Sequence, residues 1–175
     1  MKRLFTILAF MTGLTFLYAE GAMAFQIKSP AFGEGQGIPK KYSCDGSDIS
    51  PELTWSDPPA GVKEYALITD DPDAPVGNWV HWVLYKIPPD LKGIPEGIGK
   101  SDEVPGVGVQ GKNSWGRNGY GGPCPPPGKP HRYYFKFYAL SKTLEGKPGM
   151  TKEQLLAAIQ GAILGEVQLM GTFGR

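Results

Sequence analysis

The side chains of this 175-residue chain that could do chemistry gather in three short stretches. Asp70-Asp71-Pro72-Asp73-Ala74-Pro75 closes an apolar run, His81 sits inside Trp79-Val80-His81-Trp82-Val83-Leu84-Tyr85, and His131 opens His131-Arg132-Tyr133-Tyr134-Phe135-Lys136-Phe137. No other histidine is present. Prolines restrict the backbone around Asp71 and Asp73, so both carboxylates are held where a strand stops. Period-two alternation puts His81 on one face with Trp79, Val83 and Tyr85. It likewise puts His131 on a face with Tyr133, Phe135 and Phe137, and turns Arg132 and Lys136 toward a solvated basic face. Either histidine alone reads as a satisfied core residue, but with the acidic turn the two describe a pre-formed pocket at one end of a sheet. A carboxylate that accepts an imidazole N–H fixes the tautomer and favours the charged ring, which leaves the second nitrogen to donate to an anion.

The elements that must position these groups are mostly strands. Short β-prone runs appear at residues 52–55, 65–69, 79–87, 133–140 and 167–173, each bounded by Gly, Pro or Asp. They predict a mostly antiparallel sandwich or barrel. One helix is expected after Met150, where Leu155, Ala158, Ile159, Ala162 and Ile163 recur at helical spacing, Thr151 to Gln154 fits a capping box, and Gly165 supplies the stop. The stretch from Leu91 to Gly99 reads as irregular loop. From Val104 to Pro130 the chain is dense in Gly and Pro, with Asn113, Ser114, Trp115, Arg117, Asn118 and Tyr120 interspersed, and reads as one long, stiff, packed loop. Trp79, Trp82 and Trp115 read as core or pocket wall.

Bulk properties bound the function. Lys2 and Arg3, an apolar run to Tyr18, and Ala22-Met23-Ala24 form an export leader over residues 1–24. Cleavage leaves a single domain, residues 25–175, without a membrane-spanning segment and destined for the periplasm or the outside. That domain carries equal numbers of acidic and basic residues, which gives no support to nucleic-acid binding or to steering onto anionic lipid. Cys44 and Cys124 either form a disulfide or remain two free thiols, since sequence does not show whether their Cα atoms approach.

Asp71-Pro72-Asp73-Ala74-Pro75, His81 in its Trp-rich strand, and Gly121 to Gly128 leading into His131-Arg132-Tyr133 resemble the two signature regions of the phosphatidylethanolamine-binding, or Raf-kinase-inhibitor-like, family. Tyr42 to Gly46, Ile49-Ser50-Pro51 and Gly171-Thr172-Phe173 look like its bacterial YbhB/YbcL branch. The resemblance implies a Greek-key β-sandwich with a few peripheral helices. It also implies a pocket for phosphate, a carboxylate or a phosphorylated headgroup, lined by Asp71, Asp73, Pro75, His81, Pro126 or Pro127, His131 and Tyr133, with no metal or other cofactor and no catalysis. Eukaryotic members of the family bind partner kinases and inhibit them. Two other functions compete: a protease inhibitor or protein-interaction module acting through the 104–130 loop, and a metal-dependent hydrolase built on His81, His131, Asp71 and Asp73. The second lacks HExxH spacing, and Ser114 lacks a Gly-x-Ser-x-Gly elbow.

Overall fold

The computed structural model describes residues 24–175; apart from Ala24, the leader expected over residues 1–24 lies outside the described residues. In chain order the elements are β1 (Gln26–Lys28), β2 (Leu53–Ser56), β3 (Glu64–Asp71), β4 (Trp79–Ile87), β5 (Gly93–Ile94), β6 (Glu103–Val104), β7 (Gly108–Gln110), β8 (His131–Leu140), α1 (Lys152–Ile159) and β9 (Ile163–Phe173), with a 3-10 turn at Lys40–Tyr42. They build two antiparallel sheets, β1-β2-β5 and β6-β7-β4-β3-β8-β9. In the larger sheet β8 returns to lie beside β3, so the order β8-β3-β4-β7 is a Greek key, with β5 and β6 interposed between β4 and β7.

The larger sheet is covered on both faces. Against the smaller sheet it packs Tyr65, Leu67, Trp82, Leu84, Tyr133, Phe135 and Phe137 onto Ile27, Leu53, Trp55 and Ile94. On its other face Ala66, Ile68, Val83, Tyr85, Tyr138 and Leu140 meet Leu155 and Ile159 of α1. This explains why β3 and β4 read as nearly continuous apolar runs rather than clean alternations. Each fully buried Leu or Ile on α1 contributes about 1.5–3 kcal/mol of burial energy. That energy offsets the marginal intrinsic stability of an eight-residue helix.

All five predicted strands form, with ends displaced by up to four residues. The capping box of α1 forms as predicted, with Thr151 and Gln154 bonded reciprocally. The helix is shorter than expected, however: it stops at Ile159, and Gly161 turns the chain with φ +74°. Ala162 and Ile163 therefore leave the helix, and β9 begins at Ile163. A pairing partner explains the outcome, because Ile163 and Gly165 align with Leu140 and Ala139 across the sheet. The 91–99 segment contributes β5, and the 104–130 segment is not one structureless loop. Its first part enters the β6–β7 hairpin, and only residues after Gln110 run without a strand. These strands of two or three residues are too brief to show any periodicity.

Candidate functional site

Four segments converge at one end of the larger sheet: the last residue of β3, the turn over residues 72–76, the start of β4, and the 111–127 loop leading to His131 at the head of β8. Between them is a cleft of about 200 Å³, lined by Asp71, Ala74, Pro75, Val76, Trp79, His81, Trp115, Cys124, Pro125, Pro126 and His131.

A β-bulge places His81. Thr69 pairs with Trp82 and Asp70 with Val80, so His81 is an extra residue with no partner on β3. The bulge breaks the expected alternation. His81 and Trp79 reach the cleft, whereas Val83 and Tyr85 fall into the core on the α1 side. The His81 ring packs edge-on against Tyr133 and Trp115, with centroids 5.1 Å away in each case. Its Nδ1 lies 2.7 Å from the carbonyl oxygen of Gly121. A carbonyl only accepts, so Nδ1 carries the hydrogen and Nε2 is left as an acceptor in the neutral ring. Burial pushes the His81 pKa down, against the opposing effects of the Gly121 carbonyl and Asp71, and so favours that neutral ring.

His131 is held differently. Its Nδ1 lies 2.8 Å from Oδ2 of Asp71 and donates to that carboxylate, while Asp71 Oδ1 accepts the Asp73 amide at 2.8 Å. Both groups are buried, so the pair is rigid and only Nε2 of His131 remains for a ligand.

The 111–127 loop is organised by Asn113. Its side-chain oxygen accepts from the amides of Trp115 and Arg117, and its amide nitrogen donates to Gly119 at 2.9 Å, which folds the loop back under Trp115. Downstream, Gly122 donates to Asp48 at 2.6 Å, and a Cβ at Gly122 would come within 2.2 Å of the Tyr42 carbonyl oxygen. Cys44 and Cys124 form a disulfide, with Cα atoms 5.4 Å apart, which ties the cleft wall to the 43–48 segment. Closing a loop of this length restricts the unfolded chain by about 4.5 kcal/mol in the entropic model.

Of the eight residues expected to line the pocket, Asp71, Pro75, His81, Pro126 and His131 meet at the cleft. The other three do not line it. Asp73 turns away and is clamped by Arg132, whose Nε and Nη2 reach Oδ2 and Oδ1 at 2.8 and 2.7 Å, while the Arg132 amide donates to Oδ2 at 2.9 Å. The Arg132 hydrogen bonds hold the Asp73 carboxyl down at about 2. Arg132 is thus a partner of the acidic turn rather than part of a purely solvated face, and the clamp fixes the turn to β8 beside His131. Pro127 is exposed beyond the rim. Tyr133 lies beneath the floor, its ring against His81; among the described residues its buried hydroxyl has no hydrogen-bond partner, and burial followed by nearby Asp71 pushes its pKa far up. Sequence reasoning missed Asn113 as an organiser and Ala74, Val76 and Pro125 as lining. The only signal for them was proximity to the two motifs. Among the described residues, no group of three His, Cys, Asp or Glu side chains is placed to hold a metal ion.

A model of the phosphatidylethanolamine-binding protein family matches residues 28–174. A UPF0098 protein of Methanothermobacter thermautotrophicus is 47% identical over 149 residues, covering 85% of this chain and 98% of the relative. A UPF0098 protein of Aquifex aeolicus is 44% identical over 161 residues, covering 91% and 94%. Among solved structures, a Chlamydia trachomatis protein described as a homologue of the phosphatidylethanolamine-binding protein superposes with a TM-score of 0.80 at 44% identity, covering 87% of this chain and 98% of its own. Escherichia coli YbcL, described as a member of the mammalian family, gives 0.80 at 31% identity, covering 86% and 98%. A match that runs through both sheets and every segment of the cleft places the chain in a family: it belongs to the phosphatidylethanolamine-binding protein family.

Proposed function

We propose that the cleft binds a small oxyanion, a phosphate, a carboxylate or the phosphorylated headgroup of a larger molecule, and that the protein acts by binding rather than by catalysis. One observation carries this reading: both histidines spend Nδ1 on protein acceptors, so the two Nε2 atoms are the imidazole groups left for a shared cleft of about 200 Å³. A protonated His131 donates from Nε2 to the anion while its other N–H stays on Asp71, and neutral His81 accepts from a P–OH or C–OH of the ligand. The site therefore fits an anion that arrives with a proton. The lining includes no Ser, Thr or Lys to act as nucleophile, and the sulfur of Cys124 is in the disulfide.

The rim supports an ester over a free ion. Val76 is 76% exposed and Trp115 38% exposed, and with Pro126 they form an apolar collar on which the organic part of a phosphate ester would rest. This reading is favoured over a loop-borne inhibitor because the 111–127 loop is already committed to Asp48, Cys44 and the cleft wall. The disulfide and the expected leader together favour an oxidising compartment, the periplasm or the outside.

Calorimetric titration with phosphate and phosphoethanolamine tests the site. Saturable binding is expected, with phosphoethanolamine the tighter. No binding of either compound would overturn the function.

A further inference from the structure

Away from the anion cleft, β9 forms the outer strand of the larger sheet. The second half of its outer edge is already covered. Gly35 donates to Met170 at 2.8 Å, Ile38 to Thr172 at 2.7 Å and Thr172 to Gln36 at 2.8 Å, while Glu34 takes the Met170 amide at 2.9 Å. Antiparallel pairing makes alternate residues face alternate edges, so if Met170 and Thr172 point their amides and carbonyls away from β8, Glu166 and Gln168 do the same. Among the described residues, these amides and carbonyls have no backbone partner.

Beside this open stretch a groove of about 680 Å³ runs between β1 and β9, walled by Phe25, Ile27, Phe32, Val167 and Leu169. We propose that the groove docks an extended segment of another polypeptide, with apolar side chains at alternate positions, added as a short strand on β9 at Glu166 to Gln168. An acyl chain or other apolar ligand would cover those backbone groups without bonding them, which costs free energy. A strand satisfies them and directs every second side chain into the groove. The protein's own chain already binds this edge in the same manner, because Gly37 bridges Thr172 in parallel. A second copy fits poorly. Symmetric pairing centred on Val167 sets Leu164 of one chain opposite Met170 of the other, where residues 34 and 35 already occupy the edge.

The test uses the whole mature protein and a labelled peptide, Val-Thr-Val-Thr-Val, short enough to stay clear of Met170, with a control N-methylated at alternate residues to block strand pairing. The expected result has three parts: binding of the unmodified peptide with slowed exchange of the Glu166 and Gln168 amides, affinity lower by about tenfold or more for the methylated peptide, and a similar loss in Gln168→Pro, a substitution an outward edge position tolerates. Phosphate binding by Gln168→Pro verifies its fold. Equal affinity for both peptides, absence of peptide binding, or concentration-dependent dimerisation abolished by Gln168→Pro would each overturn the proposal.

Discussion

Asp70 and Asp71 are adjacent on β3 and both buried, yet they meet opposite kinds of partner. Asp70, fully buried, faces the α1 side, where Lys136 at 3.0 Å, Lys152 and Asn78 at 3.2 Å surround it. Burial alone would raise its pKa, but the hydrogen bonds from Lys152 and Lys136 outweigh burial and lower it. Lys136, expected on a solvated basic face, is in fact committed, half-buried, to Asp70. Asp71, 3% exposed, faces the cleft and meets one imidazole and one amide. Partner chemistry, more than burial, separates a carboxylate locked into the fold from one placed at the proposed anion site. Two ammonium groups lock Asp70 into the sheet–helix contact, whereas the single histidine on Asp71 keeps a free nitrogen for a ligand.

The largest expected effect breaks the structural side. Asp70→Asn strands two lysines without their counter-charge and should cost about 3–5 kcal/mol of stability. Urea unfolding measures this, and the surviving folded protein should bind phosphate within about twofold of wild type. An affinity loss as large as that from a His131 variant would show that the two faces are not separable.

Next comes the functional side. His131→Ala should weaken phosphate binding by about ten- to a hundredfold, the value of a hydrogen bond to a charged group, as read by calorimetry. Unchanged affinity would remove His131 from the site and Asp71 from its role there.

The smallest effect concerns pH. The folded-state pKa of His81 lies below its unfolded value of 6.5, so the unfolded chain takes the proton first. Stability is complete above pH 6.5 and declines as the pH falls below it, with a slope of at most about 1.4 kcal/mol per pH unit for one group. Asp73 acts further down: its carboxyl, lowered to about 2 by Arg132, contributes stability above 3.8 that is lost as pH falls through 2. His81→Gln should flatten the limb just below pH 6.5 and leave the acid limb in place. Denaturation series at stepped pH would detect this, and an unchanged first limb would assign it to another group.

Much was legible from local signals. Proline-bounded acids at a strand end, a histidine at the head of an aromatic strand, and a Thr151–Gln154 box each carry their meaning within a few residues. The missed features depend on partners distant in sequence. Arg132 captures Asp73 from 59 positions away and Lys152 reaches Asp70 from 82 away. No window-based pattern includes such pairs.

The strand-rich class, the family likeness and the residues that could form an anion pocket are readable in the chain alone, because strand period, turn chemistry and motif order are properties of short segments. Tertiary structure decided the rest. It set the bulge that swings His81 into the cleft, the end of α1 at Ile159, the disulfide, and the turning of Asp73 outward. Each of these is settled by which remote strand or loop supplies the pairing partner, and that competition is resolved only when the sheets assemble.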